Sequence, residues 1–317
     1  MLQKRICPSF PQKPIAPMEI SVVIPTYNGE NKIPKLLEAL AHQSHKNFEV
    51  VVVIDGSTDN TERILENAKN RFAKFKVIKQ HNSGRAKVRN RGVLEASGDL
   101  LIFLDDDMVP NVDCVGRHFN FHKQNPIQSI LAGNQTEERD HNYTDIQNYK
   151  AFLSKKWLSP YANGITELTL KNLFVSAANC SIKRADFEAL SGFDERLTDA
   201  EDYDLAFRGL KMGMHIFFDK DNIAIHNDNP SAISYLKRLR AYHCAHIQLS
   251  EIHDTPTLRR TKPLYKRLLY QLFATKLWIK LFDCDILKYA LPTIIRFKLY
   301  DLVFQSLSIE HSNCQVD

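Results

Sequence analysis

Short apolar runs, each closed by a turn or a carboxylate, punctuate the N-terminal half of the chain. The run EISVVIPTYN over residues 19–28 is continuous rather than alternating and is broken by Pro25, as a strand buried on both faces of a parallel sheet is. FEVVVVIDGSTDNT over residues 48–61 predicts a second buried strand, ending in Asp55 and a Gly-Ser turn. FKVIKQ predicts a third, and LLIFLDDDMVP over residues 100–110 a fourth, whose apolar residues run straight into Asp105, Asp106 and Asp107. Between them Ile33, Leu36, Leu37 and Leu40 recur at helical spacing. STDNTERILENAKNRF opens with good capping residues, and GRAKVRNRGVLEAS predicts a further helix. Strand and helix alternate four times within about 90 residues, the pattern of a doubly wound α/β sheet. Ligands of such sheets sit outside the carboxyl ends of the strands. Pro25, Thr26 and Tyr27, Asp55, and the three aspartates all fall there.

Composition changes this picture little. With 317 residues, 44% of them hydrophobic and 25% charged, the chain has the make-up of an ordinary globular protein. Residues 1–17 carry four prolines and no apolar leader segment, and are expected to be a flexible lead-in. Cys7, Cys114, Cys180, Cys244, Cys284 and Cys314 form no C-x-x-C pair, so reduced thiols and a cytoplasmic location are expected. Charge is more telling: residues 1–230 are nearly balanced, whereas residues 231–317 hold 13 basic against 7 acidic side chains. The shift follows HNDNPS and divides the expected α/β domain, residues 18–230, from a basic helical C-terminal extension, residues 231–317.

Three adjacent carboxylates repel one another unless a proton or a cation relieves them. Asp105 and Asp107, two apart where a strand leaves its pleat, can both reach one hard cation. Mg²⁺ or Mn²⁺ is usually held by one or two carboxylates together with the oxygens of a substrate diphosphate. A strand-end tyrosine such as Tyr27 can stack on a base, and a carboxylate can accept from a base N–H. Farther along, TDAEDYDLAFRGLKMG starts a helix with Glu201 and Asp202 in its first turn. Carboxylates there complement the helix dipole, and one of them can also serve as a general base.

The stretches SVVIPTYNGE, VVVIDGSTDNT, NSGRAKVRNRG, GDLLIFLDDDMVP, AANCSIKR, SGFDE and AEDYDLAFRGLKMG follow one another in this order between residues 19 and 215. Together they resemble a family 2 glycosyltransferase of the GT-A fold. That resemblance implies a doubly wound, mostly parallel sheet with flanking helices. It implies an inverting, metal-dependent enzyme that moves a sugar from a nucleotide-diphosphate sugar, by default a UDP-sugar, to a hydroxyl of a glycan or lipid-linked acceptor. Residue by residue, Pro25, Thr26, Tyr27 and Asp55 would hold the nucleoside, Arg85 would lie near the base or diphosphate, and Asp106 near the ribose. Asp105 and Asp107 would be the D-x-D motif for Mn²⁺ or Mg²⁺, with His226 as a further ligand. Asp202, the second residue of the ED pair beside Glu201, would be the base. Processive synthases of the same broad family carry Q-x-x-R-W and transmembrane helices; neither is found here, so one sugar per encounter is expected.

Other classes fit less well. LIFLDDDMV also resembles the D-x-D signature of haloacid-dehalogenase-like phosphatases, but that motif belongs to a first strand and here ends the fourth. No G-x-G-x-x-G follows the first strand and no G-K-[ST] occurs, which disfavours a dinucleotide oxidoreductase and a P-loop kinase. A non-catalytic nucleotide-sugar binder would not need Asp202.

The basic extension includes Arg259, Arg260, Lys262, Lys266 and Arg267. Its apolar stretches are interrupted by charge and never approach the ~18 residues of a membrane span. At helical spacing Leu272, Phe273, Leu277 and Leu281 form one face, with Lys276 and Lys280 able to snorkel beside it. Such a segment suits an anionic membrane surface at the cytoplasmic face, a cap on the catalytic domain, or a contact in a homo-oligomer. A nucleic-acid partner is not expected, because no recognised binding motif accompanies the charge.

Overall fold

The computed structural model describes residues 18–137, 143–254, 270 and 273–309. The four expected strands are β1 (Ile20–Thr26), β2 (Glu49–Asp55), β3 (Phe75–Gln80) and β4 (Leu100–Leu104). They lie in the order β3-β2-β1-β4, all parallel. Helices α1 (Ile33–Ala41), α2 (Thr61–Ala68) and α3 (Arg85–Glu95) carry the chain between them. The period-2 alternation of a strand sorts its side chains onto two faces. Val22 and Ile24 of β1 join the core beneath α1, whose Ile33, Leu36, Leu37 and Leu40 are all buried. Val23, between them, faces the other core with Ala86 and Val93 of α3 and Phe103 of β4. Both faces are therefore covered, which is why these strands read as unbroken apolar runs.

Beyond β4 the sheet becomes mixed. The chain continues through β5 (Met108–Pro110), α4 (Cys114–Gln124), β6 (Ser129–Thr136), α5 (Asp145–Leu158), β7 (Ile165–Leu168) and β8 (Asn179–Lys183), then α6 (Arg184–Ala189), α7 (Glu201–Lys211) and β9 (His215–His226). Strand β8 inserts antiparallel between β4 and β6, and β9 runs parallel to β6. After a register shift at Gly133/Asn134 the second half of β9 stays parallel to β6 and pairs antiparallel with β5 along its other edge. The result is one nine-stranded sheet, β3-β2-β1-β4-β8-β6-β9-β5, with β7 on β9.

The extension adds α8 (Ala232–Ile252), α9 (Leu277–Asp283), α10 (Ile286–Ala290) and α11 (Thr293–Ile309). Leu236, Phe282, Phe297, Val303, Phe304 and Leu307 close around Ile146 and Tyr149 of α5. At the start of α5 the buried Asp145 accepts from Arg296 Nε at 2.7 Å and Nη2 at 2.9 Å, and from the Tyr300 hydroxyl at 3.1 Å. The described part of the extension is thus packed on the α/β unit through a shared core and a buried ion pair.

Two expectations are corrected here. Because α9 begins only at Leu277, Phe273 and residues 277–281 do not share one helical phase: α9 turns Ile279 and Phe282 inward and leaves Leu277 65% exposed. Leu272 and the basic cluster Arg259, Arg260, Lys262, Lys266 and Arg267 lie outside the described residues. The expectation of six reduced thiols also fails at Cys244, which is disulfide-bonded, while Cys114, Cys180 and Cys284 are free. Among the described residues no helix is long and apolar enough to cross a membrane.

Candidate active site at the ends of the parallel strands

The carboxyl ends of β1, β2 and β4 open onto a cavity of about 320 Å³. Its walls include Pro25, Thr26, Tyr27, Asp55, Asp105, Asp106 and Asp107, together with Arg85 at the start of α3. Tyr27 is half exposed there. Asp55 is buried, and its carboxylate accepts from Gln80 Nε2 at 2.7 Å, Ser83 N at 3.0 Å and Gly84 N at 3.1 Å. It thereby fixes the loop that launches α3, where Gly84 takes a φ of 90° that side-chain-bearing residues rarely adopt. Arg85 is half exposed, with Nη1 3.7 Å from Asp199 Oδ1.

The three aspartates are relieved in three different ways. Asp106 is buried; it accepts from Thr26 Oγ1 at 2.7 Å and pairs with Lys32 Nζ at 3.3 Å. Burial, and secondarily the neighbouring Asp107 and Asp105, push its carboxyl up to about 6 against the pull of Lys32 and Thr26. A Cβ at Gly29 would stand 2.9 Å from Asp106 Oδ2, so only glycine lets the β1–α1 loop close over this pair. Asp105 takes a 2.5 Å hydrogen bond from Arg89 Nη2. Arg89 is buried, and its other terminal nitrogen pairs with Glu201. Burial opposes its charge, but Asp105 and Glu201 outweigh that and hold the guanidinium firmly protonated.

Asp107 meets His226 through strand register. Met108 of β5 stands opposite His226 of β9, so the preceding Asp107 lies beside the imidazole, Oδ2 to Nε2 3.4 Å. Asp107 Oδ1 is buried with no hydrogen-bond partner. Although burial opposes ionisation, the hydrogen bond and charge of His226 hold Asp107 down at about 2. The imidazole is raised to about 10 against its own burial, by Asp107 and by Glu137, whose Oε1 is 2.9 Å from Nδ1. Lys150 Nζ lies 3.0 Å from Glu137 and 2.9 Å from Asp228, so the Glu137, His226, Asp228 cluster already surrounds an ammonium group. A buried carboxylate oxygen without a partner, beside an imidazole, suits a divalent cation that accepts oxygen and nitrogen. Asp107 and His226 could hold one, with Asp105 at the same rim but engaged by Arg89.

Helix α7 delivers the acidic pair, and the two residues part company. Glu201 is buried against Arg89, with Oε2 unpaired, and burial raises its carboxyl above the ordinary glutamate range. Asp202 is only partly buried; Oδ2 accepts from Ala177 N at 3.0 Å and Oδ1 from Tyr203 N at 2.7 Å. Ala200, which precedes them, holds a left-handed φ of 59° without being glycine, a strain that the surrounding contacts must sustain.

Lys32, Arg89, Glu137 and Lys150 were not singled out from the sequence. For Arg89 a signal existed: Ala86, Arg89 and Val93 recur at helical spacing on the inward stripe of α3, where a charge has to be paired. The other three meet their partners only through long-range folding.

The glycosyl transferase family 2 model matches residues 21–191, more than half of the chain. Among curated proteins, an uncharacterized glycosyltransferase of Bacillus subtilis, YfnE, is 28% identical across 71% of this chain and 68% of its own. The O-antigen chain rhamnosyltransferase RfbN of Salmonella typhimurium is 27% identical across 67% of each. Of solved structures, the mannosyltransferase PcManGT of Pyrobaculum calidifontis, in complex with GDP-Man and Mn²⁺, aligns over 91% of this chain and 84% of its own, with a TM-score of 0.59 and 17% identity. S. aureus TarS aligns over 81% of this chain, with a TM-score of 0.53 and 22% identity; the alignment spans 43% of the TarS chain. At such identities the structural likeness speaks for the fold, and the family match carries the assignment. The chain belongs to glycosyl transferase family 2.

Proposed function

We propose that this glycosyltransferase is inverting, metal-dependent and non-processive, and that it moves one sugar from a UDP-sugar to a hydroxyl of a glycan or lipid-linked acceptor. The observation that carries this reading is the convergence of Tyr27 and the three aspartates on a single cavity, with Asp107 keeping a buried oxygen without a partner and lying 3.4 Å from His226. The TarS structure determined with UDP-GlcNAc, and the GDP-Man and Mn²⁺ complex of the mannosyltransferase, support a nucleotide sugar and a divalent ion. Relatives named for O-antigen chains and amylovoran biosynthesis support a glycan acceptor.

In this reading Tyr27 offers its face to the base, while Pro25, Thr26, Asp55 and Asp106 shape the nucleoside wall and Arg85 approaches the diphosphate. Asp105, Asp107 and His226 would hold Mn²⁺ or Mg²⁺, which when bound supplies positive charge to the leaving diphosphate. Asp202 takes the proton of the acceptor hydroxyl as its oxygen bonds to C1 and the C1–phosphate oxygen bond breaks. One such displacement inverts the anomeric centre. Glu201 is already committed to Arg89 and serves to position it. Asp202→Asn should lower kcat by about 10²- to 10⁴-fold, the usual worth of a general base, and leave nucleotide affinity unchanged. Wild-type turnover in that variant would assign the proton transfer elsewhere.

We also propose that the extension touches anionic membrane at the cytoplasmic face. Ile286, Tyr289, Ile294 and Ile295 are exposed within one short stretch of α10 and α11, with Lys280 and Lys298 also exposed. Apolar contact with flanking cations suits an anionic interface. Sedimentation with phosphatidylglycerol vesicles should pull the chain down at low salt and release it at high salt; no binding at low salt rules this contact out.

A further inference from the structure

Trp157, near the C-terminal end of α5, is 64% exposed, and no ring contact or hydrogen bond holds it among the described residues. Leaving a large indole in water forgoes stabilisation that burial would supply. The ring lines two cavities at once. One, of about 360 Å³, runs over Trp157, Pro160, Tyr161 and Phe174; the other, of about 140 Å³, reaches Glu137 and His226. They share Gln135, Ser154, Trp157 and Phe174 as walls, so they form a single trough that ends beside the imidazole next to Asp107.

The trough also has a polar group waiting in it. Gln135 Nε2 is buried and has no hydrogen-bond partner, a costly state unless a ligand supplies an acceptor. Its aromatic walls are firmly set: Tyr161 and Phe174 both pack on the fully buried Phe218, with ring centroids at 4.9 and 5.9 Å. The segment that contributes Phe174 continues directly to Ala177, whose N–H donates to Asp202. One end of this segment therefore forms the trough wall and the other fixes the carboxylate assigned as base.

A flat aromatic face and an amide donor in an open trough match a pyranose ring, whose axial C–H bonds present an apolar face and whose hydroxyls accept hydrogen bonds. We infer that Trp157 and Gln135 form the subsite for a sugar ring of the acceptor, with Trp157 as its stacking platform. This rests on the transferase reading above, since it is the acceptor of that reaction that would occupy the trough. The occupant is a saccharide rather than a peptide, because the trough ends beside the rim at which the proposed transfer places a sugar on a glycan acceptor.

The test uses the full chain, fluorescently labelled, on a printed glycan array in the presence of UDP and Mn²⁺, with thermal shifts by UDP measured in parallel. Native protein should be retained by at least one glycan. Trp157→Ala should lose that retention by tenfold or more, Trp157→Phe should recover part of it, and Gln135→Leu should weaken it, all with the UDP shift of the native chain. Because Trp157 is largely exposed, its substitution is not expected to unfold the protein, and the retained UDP shift verifies this. Retention that is equal in Trp157→Ala, or absent from the native protein, overturns the subsite. Trp157-dependent retention without any shift by UDP keeps the subsite and overturns the choice of donor instead.

Discussion

Asp107 and His226 lie 3.4 Å apart, Oδ2 to Nε2, although 119 positions separate them in the chain. The short antiparallel ladder between β5 and β9 brings them together, and Lys32 Nζ lies 4.0 Å from the same carboxylate oxygen. His226→Ala should therefore weaken Mn²⁺ affinity by roughly ten- to a hundredfold, the range seen when a metal site loses a supporting group. Isothermal titration with Mn²⁺ in the presence of UDP reads this directly. An unchanged affinity would remove His226 from the ligand set and leave it as a partner of Glu137 and Asp228.

Arg89 links the aspartate rim to α7, since one guanidinium serves both Asp105 and Glu201. Removing one member of a buried ion pair strands the other, at a cost of about 3–5 kcal/mol, whereas replacing the pair together costs far less. Arg89→Leu should accordingly be strongly destabilised in urea unfolding, and adding Glu201→Leu should restore much of the loss. If the double variant is no more stable than Arg89→Leu alone, Glu201 is not the stranded charge.

A second buried network predicts acid lability. His118 accepts or donates at Ser181 Oγ (2.8 Å) and Asn179 Oδ1 (2.9 Å), and His122 reaches the same Ser181 hydroxyl at 2.9 Å. Burial lowers His118 to about 4 and His122 to about 3, with His118 adding to the effect on His122. Above pH 6.5 both rings are neutral folded or unfolded. Below it the unfolded chain takes up protons that the folded chain refuses, so stability falls towards pH 4, by up to about 1.4 kcal/mol per unit for each ring. Melting temperatures across pH 7.5 to 4 should fall less steeply for His122→Gln than for the native chain. Parallel curves would show that His122 contributes no linkage.

Much of the parallel half of the fold was legible before any coordinates. Strands buried on both faces announce themselves as runs such as EVVVVID, and α1 by the spacing of Ile33, Leu36, Leu37 and Leu40. Strand β9 was harder to see, because HIFFDKDNIAIH breaks its apolar run with charge. The fold tolerates this by burying Asp219 against Arg117 of α4, at 3.0 and 2.9 Å, next to the register shift. The candidate site divides along the same line. Strand-end residues such as Asp55 and Asp105 could be located from local pattern, and Arg89 left a trace in the helical spacing of α3, whereas Lys32, Glu137 and Lys150 became visible only when distant segments met. Where DDD follows a buried strand, crowding alone says that something must relieve the charge; only the structure shows Lys32, Arg89 and His226 each taking one aspartate.

The central claim is that this rim binds a nucleotide sugar through a divalent ion held at Asp107. A ligand that binds only the folded chain raises its melting temperature, by an amount set by concentration over Kd. Thermal shifts should be measured for UDP-, GDP- and TDP-sugars with Mn²⁺, with Mg²⁺ and with chelator, on the native chain and on Asp107→Ala. The account predicts a rise with a UDP-sugar and divalent metal that vanishes in chelator and in Asp107→Ala. An equal rise in chelator and in Asp107→Ala, or no rise with any nucleotide sugar, would contradict it.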